Sequence, residues 1–137
     1  MNAAAHEPLD PERLSHAYAL TGSDAAQRVL ALLRRVFCPE GCGRCPACAK
    51  LAKGVHPDVV RVGPEGKNIR IEQVRQLQKH ALYPPLEAPR KAFVIERAEL
   101  LSREAANSLL KVLESPPRYL VFFLLTERLG DLLPTVV

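Results

Sequence analysis

The chain has 137 residues, of which 47% are hydrophobic and 25% charged, so it is long enough to bury one core and has the composition of a globular protein. Its longest apolar run, Tyr119 to Leu125, is far shorter than the roughly 20 residues of a membrane helix, and its first residues lack the pattern of a signal peptide. We therefore expect one domain in the cytoplasm, and the net charge of +4 is too small to indicate nucleic-acid binding by itself.

The first predicted element is a short apolar strand, Ala17–Thr21, which ends at Gly22. A helix is expected after it, capped by Asp24 and with one apolar face. The residues of that face recur at helical spacing: Val29, Leu30, Leu33, Val36 and Phe37. A strand, a glycine turn and a helix in this order mark the place where a phosphate-binding loop would lie.

The glycine turn departs from the phosphate-binding pattern G-x-x-x-x-G-K-[ST] at three positions. Counted from Gly22, the second glycine is replaced by Gln27, the lysine by Arg28 and the magnesium-binding hydroxyl by Val29. Arg28 could still touch a phosphate, but Gln27 obstructs close approach of the backbone and Val29 has no oxygen to offer a metal. We therefore expect no ATP turnover, and Gly22 is better interpreted as the end of a strand.

All four cysteines lie within one short segment that also contains glycine and proline, namely Cys38, Cys42, Cys45 and Cys48. Four thiolates at this spacing can surround one zinc ion, and a full set of protein ligands leaves no position for a catalytic water. Two disulfides or four reduced thiols are the alternatives, which a reducing compartment and thiolate repulsion disfavour. The segment 38–48 is therefore predicted to be a structural zinc-binding insert.

A second strand and a second long helix are predicted after the cysteine segment. Val59–Val62 is a short apolar run, and near-helical apolar spacing predicts a helix over Ile71–Leu82 that stops before two prolines. His56 precedes the strand in a His-Pro-Asp sequence, which is typical of a turn. We do not expect His56 to bind the metal, because four sulfurs already complete its coordination.

The last predicted elements are a strand, a helix and a strand. Ala92–Ile95 and Leu120–Leu125 are unbroken apolar runs, which is the pattern of parallel strands covered by helices on both faces. Ser102 is expected to cap the helix between them, and the prolines at positions 116 and 117 to end it. The predicted fold class is therefore α/β, a parallel sheet with helices on both faces.

The amino-acid sequence of this last segment resembles that of a known protein family. Residues 104–117, Glu-Ala-Ala-Asn-Ser-Leu-Leu-Lys-Val-Leu-Glu-Ser-Pro-Pro, and the following Phe-Phe-Leu-Leu-Thr closely resemble the AAA+ domain of bacterial DNA polymerase III clamp-loader subunits, the delta-prime family in particular. Residues 69–75, Ile-Arg-Ile-Glu-Gln-Val-Arg, resemble a further signature of these proteins. The resemblance implies a P-loop NTPase or AAA+ core over residues 1–137 with the zinc module inserted at 38–48. Relatives continue with further domains, so we expect this core to be truncated at its C-terminus.

The resemblance also implies where two other nucleotide motifs would lie. Active relatives end the third strand with Asp-Glu, whereas this sequence has Glu96 and Arg97, which puts a cation where a carboxylate should activate water. Thr126 matches the sensor position that contacts the γ-phosphate. Since the phosphate loop is altered as well, we expect no catalytic residue and no bound ATP.

The function implied is that of a non-catalytic clamp-loader subunit, a part of the DNA-directed DNA polymerase holoenzyme, a nucleotidyltransferase, that is not an enzyme by itself. Its expected partners are gamma/tau and delta subunits and, through them, the sliding clamp and primed DNA, with no membrane. One alternative is an active gamma/tau-type ATPase, which would need a working phosphate loop. Another is a free-standing zinc module for nucleic acid, which would need more cations and aromatic residues than Arg44 alone supplies within the cysteine segment.

Overall fold

The computed structural model describes residues 17–126 except residues 23, 39–41, 43 and 115, so the predicted domain limits at positions 1 and 137 lie outside the described residues. Four parallel strands form one sheet with the order β1-β4-β3-β2. The strands are β1 (Ala17–Thr21), β2 (Val59–Val62), β3 (Lys91–Ile95) and β4 (Leu120–Thr126). The first two have the predicted limits, and the other two are each one residue longer than predicted.

Four helices accompany the sheet within the described residues. They are α1 (Ala25–Phe37), α2 (Pro46–Lys53), α3 (Ile71–Ala81) and α4 (Arg103–Glu114), and a 3-10 turn covers Ala98–Leu100. Ser102 caps α4 as predicted, because its hydroxyl accepts a hydrogen bond from the backbone N–H of Ala105 at 3.1 Å. Asp24 lies at the N-cap position of α1 as predicted, but its side chain makes no capping hydrogen bond.

The sheet is covered on both faces, which confirms the predicted fold class. Every residue of β3 and β4 is buried, as expected of central strands in a parallel sheet. Side chains alternate along β4, so Phe122 packs in the cluster that contains α3 and α4, while Phe123 packs in the cluster that contains α1. None of the helices among the described residues has the length and apolarity to cross a membrane.

The carboxyl ends of the strands lie along one edge of the sheet. Thr21 at the end of β1 pairs in register with Thr126 at the end of β4. The end of β3 lies beside them, because Ile95 pairs with Leu124. In open α/β sheets, ligands bind at this edge. The fold therefore brings the residues of the predicted nucleotide motifs to one end of the sheet.

Candidate metal centre and strand-end cavity

The four cysteines come together in space. Their sulfur atoms all lie within 4.8 Å of one another, and Cys38 Sγ is 3.8 Å from Cys42 Sγ. Four sulfurs placed about 2.3 Å from one ion at tetrahedral angles would be about 3.8 Å apart. The cluster is therefore close to the size that a zinc ion requires, although the identity of the metal stays a prediction.

Backbone N–H groups point at two of the sulfurs. Cys42 Sγ accepts hydrogen bonds from the N–H of Arg44 at 3.5 Å and of Cys45 at 3.2 Å, and Cys45 Sγ accepts one from Cys48 at 3.5 Å. The N–H of Arg44, followed by that of Cys45, lowers the pKa of the Cys42 thiol to about 7. The thiolate is the form that binds metals, so these donors favour the ligating state.

The local fold places these ligands at the junction of two helices. Cys38 directly follows the last residue of α1, and its N–H still bonds to the carbonyl of Arg34 at 2.7 Å. Cys45 caps α2, Pro46 begins it, and Cys48 is buried within its first turn. A bound zinc would supply a cross-link between the two helices, and four sulfurs would leave no site for water.

The second candidate site is a cavity of about 310 Å³ at the carboxyl edge of the sheet. Its lining comes from the β1–α1 connection, the residues after β3 and the end of β4, and includes Gly22, Ala25, Glu96, Arg97, Glu99 and Thr126. The structure therefore brings together the glycine turn, the Glu96–Arg97 pair that replaces Asp-Glu of active relatives, and the predicted sensor position. Thr126 is buried at the end of its strand.

The connection between β1 and α1 is shorter than the pattern of a phosphate loop. Since β1 ends at Thr21 and α1 begins at Ala25, only residues 22–24 join them. A phosphate loop needs four residues between its glycines before the helix begins. The three predicted replacements, Gln27, Arg28 and Val29, lie within α1, where Val29 is fully buried in the core between the helix and the sheet.

The space beside the glycine turn is occupied by the chain itself. Gly22 has a φ of 101°, and a Cβ added there would lie 3.2 Å from Asp24 Oδ1 and 3.6 Å from Arg28 Nη2. Arg28 Nε in turn lies 3.3 Å from Asp24 Oδ1. The cation that replaces the phosphate-binding lysine is thus paired with a carboxylate of the same turn.

The charges that follow β3 also have partners within the chain. Glu96 Oε1 lies 3.4 Å from Arg61 Nη1, and Arg97 Nε lies 3.6 Å from Glu99 Oε2. Arg97 has φ 54° and ψ 54°, and it is the one non-glycine residue with positive φ in the part of the chain that the structure describes. This left-handed conformation costs about 1 to 2 kcal/mol in a residue with a side chain.

The model of the family described as DNA polymerase III, delta subunit, matches residues 3–137 of this chain. The chain belongs to that family. The resemblance found in residues 104–126 is therefore confirmed.

Relatives of this DNA polymerase III family include delta-prime and gamma/tau subunits. The chain is 34% identical to DNA polymerase III subunit delta' of Bacillus subtilis over 96% of its own length and 42% of the relative's length. It is 38% identical to the delta' subunit of Pseudomonas aeruginosa, over 89% of this chain and 40% of that one. A gamma/tau subunit of Mycobacterium tuberculosis is 30% identical over 93% of this chain and 24% of its own length.

A solved structure shows the same fold. The crystal structure of a DNA polymerase III gamma subunit-related protein from Thermotoga maritima superposes with a TM-score of 0.71 at 32% identity. The match covers 92% of this chain and 40% of that protein. The chain thus spans about two-fifths of the length of the delta' relatives and of this structure.

This family member also has a buried polar network that sequence patterns did not reveal. The predicted turn at His56 is present, but His56 and Asp58 are only 5% and 1% exposed. His56 Nδ1 accepts a hydrogen bond from the N–H of Asp58 at 3.1 Å, and the ring lies 4.7 Å from that of Phe37. Burial lowers the pKa of His56, and the attraction of Asp58 offsets this only in part.

Asp58 holds the connection between α3 and β3, residues 82–90, which we call the α3–β3 loop. Its carboxylate accepts hydrogen bonds from three successive N–H groups, those of Leu86 at 2.6 Å, Glu87 at 2.8 Å and Ala88 at 2.7 Å. Burial alone would raise the pKa of Asp58, but these donors outweigh it and lower the pKa below its ordinary value. The signal available in the sequence was one aspartate just before a strand, which is common in turns.

Proposed function

We propose that this chain is the AAA+ core of a non-catalytic clamp-loader subunit of the delta-prime type, acting in the cytoplasm. It holds its place in an assembly with gamma/tau and delta subunits, while subunits with intact phosphate loops bind and hydrolyse ATP. The assembly opens the sliding clamp and places it on primed DNA. In this role the chain contributes contacts with neighbouring subunits and does not itself hydrolyse ATP.

The observation that carries the proposal is the short connection between β1 and α1. Residues 22–24 leave no room for a loop whose backbone wraps a phosphate, and Arg28, which replaces the phosphate-binding lysine, is paired with Asp24. The residues after β3 support the same conclusion, because Arg97 would repel magnesium where an active site needs a carboxylate.

The four-cysteine cluster has a structural part in this proposal. It would hold zinc through Cys38, Cys42, Cys45 and Cys48, with each sulfur as one ligand. A closed shell of four sulfurs stabilises a fold and supplies no activated water. The insert at 38–48, extended by the rest of α2, would therefore act as a clip between α1 and α2 within the core domain.

An active gamma/tau-type ATPase is the second candidate, and one observation favours it. The chain is similar at the level of 30% to 32% identity to a gamma/tau subunit and to a gamma-related structure, over more than nine-tenths of its length. Fold and overall similarity do not separate the two functions, so the chemistry at the ends of β1 and β3 must decide.

The decisive experiment reconstitutes the assembly with the full-length protein and purified gamma/tau and delta subunits. We expect a defined complex on size-exclusion chromatography with light scattering, and DNA-dependent loading of the clamp that requires this protein. The double variant Arg28→Ala/Glu96→Gln should leave the steady-state ATP hydrolysis of the complex unchanged.

The matched control is a gamma/tau subunit whose own phosphate loop is inactivated, which should abolish hydrolysis in the same assay. Failure of the wild-type protein to join the complex would contradict the clamp-loader role itself. A complex that loses a fixed share of its ATP hydrolysis in the double variant would instead favour the active ATPase.

A further inference from the structure

The cysteine cluster is connected to the α3–β3 loop by a chain of side-chain contacts through α1. Cys38 follows Phe37, whose ring lies 4.7 Å from the ring of His56. His56 Nδ1 accepts the N–H of Asp58 at 3.1 Å. The carboxylate of Asp58 then holds the three amides at positions 86–88 at 2.6 to 2.8 Å. Every step of this route is a direct contact.

A second route reaches the same three residues through α2. Cys48 and Lys50 both lie on this helix, and Lys50 Nζ forms an ion pair with Glu87 Oε1. Leu51 of α2 is buried in the same apolar cluster as Phe37, and Ala88 packs against that cluster. An ion pair and an apolar contact thus join α2, which contains Cys48 and is capped by Cys45, to residues 87 and 88.

A cross-link to α1 would stabilise α2, the helix that carries Lys50 and Leu51. α2 has eight residues, which is too short to be a stable helix in isolation. Among the described residues, the cysteines connect α2 to the end of α1. Cys38 lies at the end of α1, Cys45 caps α2, and Cys48 lies in the first turn of α2. A bound metal ion would complete this connection between the two helices, since four thiolates without a cation repel each other.

The α3–β3 loop, which both routes reach, exposes large apolar side chains. Leu82, Tyr83 and Leu86 are 76%, 67% and 80% exposed, although the backbone around them is tightly held. Lys91 Nζ donates to the carbonyls of His80 at 2.6 Å and Tyr83 at 3.1 Å. Apolar side chains on a fixed backbone present a definite surface, which would be lost if the backbone became loose.

We propose that metal binding at the four cysteines orders the α3–β3 loop, through Phe37, His56 and Asp58 on one route and through Lys50 and Glu87 on the other. The metal site then controls the conformation of the α3–β3 loop as well as connecting α1 to α2. With the metal bound, α2 and the end of α1 hold the loop against Asp58. Without the metal, α2 is no longer cross-linked to α1, and the hydrogen bonds of the three amides at 86–88 open more often.

The test measures amide hydrogen exchange by NMR on the 137-residue chain, loaded with zinc or stripped by a chelator in the presence of a reductant. We expect exchange of the Leu86, Glu87 and Ala88 amides to be about tenfold faster or more after zinc removal, which is the behaviour of a local opening. The amides at the centre of β4, Val121 to Leu124, should be unchanged and serve as the internal reference.

Two substitutions interrupt the routes without touching a cysteine. Phe37→Leu removes the ring contact but keeps an apolar side chain, and Glu87→Gln removes the ion pair with Lys50. In the zinc-loaded double variant, the three loop amides should already exchange as fast as in metal-free wild type. Glu65→Gln is the matched control, because it breaks another exposed ion pair, with Arg70, away from the module.

The proposal is overturned by any of four results. The loop amides could exchange at equal rates in both metal states. The exchange rates of the β4 amides could also rise on zinc removal, which would indicate a global loss of stability. The double variant could also keep slow exchange with zinc and lose it on stripping, which would place the connection elsewhere. A chain that retains no zinc overturns it as well. None of these results bears on the clamp-loader role, because no partner is present.

Discussion

Arg28 Nε lies 3.3 Å from Asp24 Oδ1 at the first turn of α1, next to the glycine that ends β1. A phosphate that binds Arg28 would have to displace the carboxylate of Asp24, which lies one helical turn earlier in the chain. It would also meet the negative charge of Asp24 itself. This pair, together with the three-residue connection, is the physical basis on which we propose that the chain does not hydrolyse ATP.

The first prediction concerns the metal. The purified, reduced protein should carry one zinc per chain, and serine in place of Cys38, Cys42, Cys45 or Cys48 should lower the zinc content sharply, because three sulfurs leave the shell open. Elemental analysis of each variant measures this. Lys53→Ser, an exposed change on the same helix, should keep full zinc content. Full zinc in any cysteine variant would show that the four do not form the site.

The second prediction concerns the anchor of the α3–β3 loop. Asp58→Asn keeps the shape of the side chain but replaces an acceptor with an amide that cannot serve all three N–H groups. We expect a loss of about 2 to 4 kcal/mol in the free energy of unfolding, measured by urea denaturation. The exposed change Asp24→Asn should cost less than about 1 kcal/mol. Equal midpoints for wild type and Asp58→Asn would show that the anchor contributes nothing.

The third prediction concerns pH. Because burial lowers the pKa of His56, the unfolded chain takes up this proton first as the pH falls below about 6.5. The neutral, folded form therefore loses stability from that pH downward, until the lowered native pKa is reached. His56→Asn removes the titrating group, so the fall in unfolding free energy between pH 7.5 and pH 5.5 should be smaller than in wild type.

Denaturation midpoints at the two pH values measure this difference, and comparing variant with wild type at each pH cancels the contribution of the cysteines. His80→Asn is the control for replacing a histidine by asparagine, because His80 is exposed on α3. If His56→Asn shows the wild-type slope, the buried ring does not carry the linkage.

The strands were the most predictable part of the fold. Buried parallel strands must be apolar on both sides, so runs such as Leu120–Leu125 leave little choice of structure, and the predicted limits hold to within one residue. The cap at Ser102 was equally visible, because a serine before a long amphipathic segment has one common role.

Other features depend on contacts that no local pattern contains. Helix α2 has only eight residues, one of them a cysteine, so apolar spacing does not distinguish it from a turn. Asp24 has the right residue type for a cap, but its carboxylate lies beside Arg28 one turn later instead. The length of the β1–α1 connection depended on where α1 begins, and helix limits are the least certain part of any sequence pattern.

The cysteine cluster and the buried network show the same contrast. Ligand number and spacing made the grouping of four sulfurs predictable from Cys38–Cys48 alone. The burial of Asp58 was not predictable, since its three partners lie about 30 residues later in a loop rich in proline. Long-range hydrogen bonds leave no periodic trace in a sequence.

The most direct test of the central claim is an isothermal titration of the zinc-loaded protein with Mg-ATP, in parallel with Arg28→Ala and Asp24→Ala. We predict no saturable heat at micromolar to millimolar nucleotide in any of the three, because freeing Arg28 from Asp24 does not lengthen the β1–α1 connection. Micromolar affinity in the wild type that Arg28→Ala abolishes would contradict a non-catalytic role.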